Sequence, residues 1–543
     1  MSTTTKHHKP AGIKETVTSL TIALMLAFLF RGFVIEGFVI PTGSMAPTLR
    51  GKHLQFTSPA NGYRWAVGPW NVARTNGIEV NDPMSGQRIS TANKKLSSGD
   101  RVFVLKYLPF LHTPERWDVV VFKNPGTNEN YIKRMIGRPG EQVALVDGDV
   151  FVRPFVEGET DRAGWESWMD GSWTIARKPE RVQRTMFLPV YNSRFAPIEP
   201  KPSFRPPVRG STPGWDGLQT STYAYSGDGE TTLEWNSEVR PITDRYPYNQ
   251  LSKSFDLFAQ PTIPLGSNQP RPFPVSDIAM SVNIRPEDEG VVLTPTIEAR
   301  GMVFRAVVDA SAGTASVEMK PDQDEATGWV TLDTGETGTI GSGAYTRVEF
   351  WHVDQALYVF IDGSLVCGGA ESGAYSLTPA ERASAATAMS YDQLRADSSI
   401  GNGVSRAGVF SRPDIYVAPS VRWGFSGGPF TLTNVSIERD ISYQVSLPEI
   451  NGAMATRGAH PNFFPTLTDD EFFMCGDNSP RSADGRLWAE DSIIPWVREY
   501  IDATPGVVNR DLVVGKAFVV YFPSLLRDRA IPTPDIGRVR WIW

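Results

Sequence analysis

The chain has 543 residues, is 41% hydrophobic and 21% charged, and carries a formal net charge of −7. That length allows several domains with real cores, and its mild acidity argues against nucleic acid as a partner, which would need a basic footprint. Two cysteines, Cys367 and Cys475, exclude a disulfide scaffold and a four-thiolate zinc site.

The first predicted element is a membrane anchor. Residues 1–16 are polar and include Lys6, Lys9 and Lys14, and the chain is almost wholly apolar from Val17 to Phe30. A secretory signal shares this outline but needs a small-x-small cleavage site, which Phe30-Arg31-Gly32-Phe33 does not offer. With Arg31 snorkelling, one helix over about 15–34 reaches the roughly 20 residues of a span. The preceding lysines place the N-terminus in the cytoplasm and everything after residue 40 outside it.

Next comes Phe38-Val39-Ile40-Pro41-Thr42-Gly43-Ser44-Met45-Ala46-Pro47-Thr48-Leu49. It is an apolar run ending in a Pro/Gly turn that can expose a hydroxyl; alone, Ser44 reads as a turn residue. Within 57–88, Ser58-Pro59-Ala60-Asn61-Gly62 and Asp82-Pro83-Met84-Ser85-Gly86 echo each other. They read either as plain turns or as vestigial zinc knuckles whose cysteines have been replaced.

Trp117–Phe122 reads as a buried strand, and Tyr131-Ile132-Lys133-Arg134-Met135-Ile136 as another, ended by Gly-x-Pro-Gly. Alternation puts Tyr131, Lys133 and Met135 on one face. A lysine between an aromatic ring and a thioether is desolvated, which lowers its pKa towards that of a general base. Residues 156–202 form a Trp- and Pro-rich connection without a clear pattern. From 203 to 440, short alternating runs separated by Gly and Asp turns predict a β-sandwich. Its Val-Glu-Phe…Leu-Tyr-Val-Phe-Ile-Asp-Gly hairpin (348–363) resembles concanavalin A-like, laminin-G-type jelly rolls. The last elements are a strand at Phe472–Cys475, the loop Gly476-Asp477-Asn478-Ser479-Pro480-Arg481-Ser482-Ala483-Asp484-Gly485-Arg486, and a strand at Gly515–Phe522.

The Ser44 segment, Tyr-Ile-Lys-Arg and Gly-Asp-Asn…Ser-x-Asp-x-Arg, in this order behind an anchor, resemble type I signal peptidase, the bacterial leader peptidase family. The resemblance covers about 15–155 and 446–525. It implies Ser44 as nucleophile and Lys133 as general base, with Ser482 orienting the lysine and Asp484 and Arg486 bracing it. The main-chain N–H of Ser44 and the hydroxyl of Thr42, where a serine is usual, would form the oxyanion hole. Gly485 departs from the family's serine. Phe38, Ile40, Met45, Leu49, Tyr131, Ile132, Met474 and Ala483 match positions lining small pockets selective for Ala-x-Ala. None of the six histidines lies in a nucleophile motif, so a histidine triad has no support.

The expected protein is therefore mainly β. It divides into a tail and anchor (1–40), a first catalytic-core segment (41–155), a connecting segment (156–202), an inserted sandwich (203–440) and a second catalytic-core segment (446–543). The expected substrates are exported preproteins at the outer face of the cytoplasmic membrane. Membrane lipid surrounds the anchor, and the sandwich has room for a carbohydrate or cell-envelope ligand. No metal or other cofactor is implied. The rival reading is an anchored carbohydrate-binding protein with a decayed core, against which the intact Ser44 and Lys133 argue. The insert is expected to be dispensable for cleaving a small peptide.

Overall fold

The computed structural model describes residues 12–69, 77–106, 113–155, 163–202, 204–251, 255–261, 271–288, 290–322, 327–338, 340–399, 408–444, 456–527 and 531–543. Lys6, Lys9, His7, His8 and His112 lie outside the described residues, as do stretches of the 57–88, 156–202 and 446–525 segments.

The expectation of a mainly β protein with an apolar N-terminal helix holds. The helix Ile13–Phe33 has 21 residues, no buried side chain and a mean hydropathy of 1.7 over its most apolar window. At about 1.5 Å per residue it matches a hydrocarbon core of roughly 30 Å.

After it, the chain builds an eight-stranded sheet from two distant stretches of the sequence. The order is Ile35–Val39, Arg101–Leu105, Val513–Phe522, Val119–Lys123, Asn130–Gly137, Glu471–Cys475 and Val507–Asn509, with Arg540–Trp541 pairing onto Val513–Phe522. Strand Val513–Phe522 sits between two strands of the N-terminal stretch, so neither stretch closes the sheet alone. The continuous burial of Val119–Phe122 and of Ile132–Gly137 marks strands covered on both faces.

The two echoing turns meet. Gly62 N–H donates to Ser58 O at 2.9 Å and Gly86 N–H to Asp82 O at 2.9 Å, giving matching tight turns. Asp82 Oδ2 accepts from Asn61 Nδ2 at 3.1 Å and from Ser85 Oγ at 2.6 Å.

The sandwich consists of one eight-stranded and one seven-stranded antiparallel sheet. Alternation supplies its core, as in Ser420–Ser426, where Val421, Trp423 and Phe425 point inward. Asp362 and Gly363 both take positive φ, as the tight turn of a two-residue hairpin requires. The boundary differs from expectation: the first sandwich strand is Leu188–Asn192, which pairs with Phe430–Arg439. Its Leu-Pro-Val-Tyr-Asn sequence hides its strand character behind a proline, which an edge position tolerates. Within the Trp-rich segment, Trp168 and Trp173 fill a core between the hairpin Glu141–Pro154 and the helix Pro379–Thr387.

A buried ionic network fastens the sandwich to the core. Lys178 bridges Asp354 at 2.5 Å and Asp440 at 2.9 Å; Arg300 pairs with Asp147 at 2.8 Å and Asp277 at 2.6 Å; Arg382 pairs with Asp149 at 2.6 Å. Burying so much charge contributes little net stability, but removing one partner is costly, which fixes how the two bodies sit.

Candidate active site

Lys133 lies on the strand Asn130–Gly137, and Ser44 in the turn that follows the first sheet strand. Lys133 Nζ donates to Ser44 Oγ at 2.7 Å and to Ile132 O at 3.2 Å. The lysine is 3% exposed. Burial lowers its pKa to about 8, against the pull of the Asp484 charge. Its Nζ stands 5.2 Å from the centre of the Tyr131 ring, and Met135 beyond it is fully buried, so the environment read from alternation is present.

The loop after Glu471–Cys475 braces this pair. Asp484 accepts from Arg486 at 2.8 and 2.7 Å and from Gly476 N–H at 2.8 Å. Burial alone would raise the Asp484 pKa, but the Arg486 guanidinium and these hydrogen bonds outweigh it and hold the carboxyl low. Ser482 is fully buried against Gly476, where a Cβ would come within 2.2 Å of its Oγ. The two hydrogen bonds of Lys133 Nζ bypass Ser482, whose hydroxyl has no partner at hydrogen-bonding geometry, although it is near enough to Asp484 to help hold that carboxyl low. At Gly485 a Cβ would lie 2.4 Å from Gly506 O, so this backbone leaves no room for a serine.

Ser44, Lys133, Thr42, Tyr131, Ile132 and Ala483 all line one open cleft of about 550 Å³. Of the other expected pocket residues, Ile40, Met45, Leu49 and Met474 are buried at 2% exposure or less. Phe38 packs on the same core cluster as Ile40, Met45 and Leu49, and Met474 belongs to the cluster around Val120 and Phe122. These five belong to the packed clusters that also hold the cleft residues Ile132 and Tyr131.

Sequence reasoning missed two groups of residues. Arg134 follows Lys133, so it points to the opposite face; it is fully buried and clamps Asp477 at 2.8 and 2.7 Å. Alternation from Lys133 would have placed a buried arginine there, and such an arginine needs a carboxylate. The second group comes from the insert. Tyr246 donates to Asp477 O at 2.8 Å and Tyr248 to Lys52 O at 2.9 Å. Asn249 and Asn478 exchange side-chain hydrogen bonds at 2.8 and 2.9 Å, and Asn478 also donates to Gly43 O at 2.9 Å and, through its backbone, to Ser44 O at 3.0 Å. A Cβ on Gly43 would strike the Tyr248 ring at 2.2 Å, so the glycine before Ser44 is what lets this arm lie across the turn. Tyr248 and Asn249 line the cleft. No local pattern in Tyr-Pro-Tyr-Asn announces contacts made across 229 residues.

The family model described as "Signal peptidase, peptidase S26" matches residues 80–162. Signal peptidase I of Rickettsia bellii (strain OSU 85-389) is 30% identical over 155 residues, 28% of this chain and 44% of its own. Signal peptidase I of Rickettsia typhi is 29% identical over 142 residues, 26% of this chain and 43% of its own. The chain thus spans under half the length of these relatives. Among solved structures, the carbohydrate binding module CBM66 from Bacillus subtilis aligns over 43% of this chain and 95% of its own, at 9% identity and a TM-score of 0.22. The resemblance to type I signal peptidase read from the sequence is borne out by the family match and these relatives.

Proposed function

We propose that the protein is a membrane-anchored signal peptidase that cleaves exported preproteins after Ala-x-Ala with a Ser44/Lys133 dyad. The observation that carries this reading is the 2.7 Å hydrogen bond from a buried lysine to a serine hydroxyl at the floor of an open cleft. With a pKa near 8, roughly a tenth of Lys133 is neutral at pH 7, against well under a thousandth for an ordinary lysine. Neutral Lys133 accepts the Ser44 proton as Oγ attacks the scissile carbonyl, and returns it to the leaving amine as that bond breaks. It then takes a proton from water, whose oxygen attacks the ester; collapse frees the acid and returns the proton to Ser44 Oγ. The Ser44 N–H and the Thr42 hydroxyl are the proposed donors to the oxyanion. Tyr131, Ile132 and Ala483 form the proposed wall against the small side chain.

The helix Ile13–Phe33 supports an anchor, and the proposed orientation is N-terminus in the cytoplasm with the cleft outside, because Lys6, Lys9 and Lys14 precede the apolar run that starts at Val17. The deciding experiment is cleavage of an Ala-x-Ala preprotein by the purified full chain in detergent, wild type beside Ser44→Ala. Processing by the wild type alone supports the reading. Absence of processing by folded wild type leaves the rival, an anchored binding protein with a silent core.

A further inference from the structure

Behind the arm lies a second cavity of about 250 Å³, between the catalytic core and the insert. Roughly 150 Å³ suffices to hold benzene, so this space takes a single ring with a substituent. Arg50, Arg64, Arg240, Arg245 and Arg439 line it, and no aspartate or glutamate among the described residues does. Its remaining wall is largely aromatic and apolar, including Trp65, Tyr246, Tyr248 and Phe258. Surplus positive charge is unusual in a buried place, because an ion taken out of water needs a counter-charge.

The partners of Arg50, Arg240 and Arg439 supply it only in part. Arg240, 5% exposed, donates to Met84 O at 2.8 Å, and its Nε is buried without a hydrogen-bond partner. Asp82, the acid that acts on it electrically, is engaged by Asn61 and Ser85. Arg50 meets Asp535 only at 3.8 Å, while Asp100 is held by Arg538 at 2.8 Å, and Arg50 Nε too lacks a partner. Arg439 donates to the carbonyls of Asp440 and Arg245. Trp65 Nε1 is a further buried donor with no acceptor. Burial lowers the pKa of both Arg50 and Arg240 to about 10, the mark of guanidinium groups deprived of solvent and poorly compensated.

We propose that this cavity is a binding site for a small organic anion, a phosphate monoester or a carboxylate carried on an aromatic or compact apolar body. The anionic group accepts from the arginines and the indole N–H, and the ring packs among Tyr246, Tyr248 and Phe258. The site is distinct from the Ser44 cleft, and the proposal does not depend on the peptidase reading. Tyr248 is the shared wall between the two spaces.

The test is isothermal titration of the full chain in detergent with phenyl phosphate, benzoate, inorganic phosphate and phenol, with Trp65 fluorescence as a second readout. Phenyl phosphate or benzoate should bind saturably, at least tenfold tighter than phenol and tighter than inorganic phosphate; which of the two binds better names the anion. Arg240→Gln should weaken that binding tenfold or more, while Arg209→Gln, on an exposed sandwich strand, should leave it unchanged. The fluorescence response should vanish in Trp65→Phe. If Arg240→Gln does not fold, the exposed Arg64→Gln serves in its place, with a severalfold loss expected. Equal binding of phenol and phenyl phosphate, binding insensitive to the pocket arginines, or no saturable binding by folded wild type would each overturn the proposal.

Discussion

Ser44 and Lys133 are brought together by a sheet whose strands come from both ends of the sequence, whereas Tyr248 and Asn249 reach the same cleft from a loop between sandwich strands. The first pair is defined by strand alternation and a local turn. The second is defined by long-range hydrogen bonds to Asn478 and Lys52 and by the absence of a side chain at Gly43. The difference separates chemistry from shape: in the proposed reaction Ser44 and Lys133 fix which proton moves, and the Tyr246–Asn249 segment fixes where the Ser44 turn and Asn478 lie.

The sharpest way to test that division is to remove each side. Ser44→Ala, Lys133→Ala and Lys133→Arg should each abolish preprotein cleavage, and the double alanine variant should be no worse than either single one, since the pair acts as a unit. Replacing residues 203–440 by a Gly/Ser linker should also abolish peptide cleavage, because it deletes Tyr246, Tyr248 and Asn249; this reverses the expectation drawn from sequence alone. A folded, fully active deletion variant, checked by circular dichroism, would show that the arm is only scaffolding. Next in size, Thr42→Val should raise the barrier by about 2.7–4 kcal/mol if its hydroxyl serves the oxyanion, with Thr42→Ser near wild type in kcat.

A subtler break is Asn249→Ala, which leaves the Asn478 side chain short of one donor and one acceptor. A loss of about 1–3 kcal/mol in unfolding free energy is expected, with a kcat reduction smaller than that of Thr42→Val and an unchanged pH profile. In the wild type, activity should rise about tenfold per pH unit and level off above about 8, as Lys133 loses its proton. A profile flat from pH 6 to 9 would remove the lysine base. The smallest effect concerns the buried ionic network around Lys178. Burial raises the Asp440 pKa from 3.8 to about 6. The native state therefore binds a proton that the unfolded chain releases, and stability falls as pH rises from about 4 to about 6. Asp440→Asn should flatten that stretch of the urea-unfolding profile.

Much of the site was legible because its signals are local. The turn around Ser44, the alternation that buries Lys133 and the Asp484–Arg486 pair each occupy a few consecutive residues. What escaped depends on the fold as a whole. Ile40, Met45, Leu49 and Met474 lie close to the cleft in sequence terms, yet all four are packed into the core, Met474 by the pleat of its strand and the other three by the course of the turn around Ser44, a distinction of face that composition does not carry. The sandwich was visible from its alternation, but its first strand Leu188–Asn192 was not, because an edge strand with a proline lacks the pattern of a central one. The arm left no sequence signal at all: a 3₁₀ turn of Pro-Tyr-Asn is common, and only its neighbours give it meaning.

The pair of echoing turns bears on where such a protein can mature. Ser58, Asn61, Asp82 and Ser85 stand at the four places that would carry thiolates if these turns were zinc knuckles, and an Asp82 carboxylate oxygen accepts from the Asn61 amide of the other turn and from the Ser85 hydroxyl of its own. A cluster of that composition offers little to a soft metal ion and nothing to an oxidant. A chelator or a shift in redox poise should therefore leave the pairing of these two turns unaffected, a useful independence for a domain proposed to mature beyond the reducing cytoplasm.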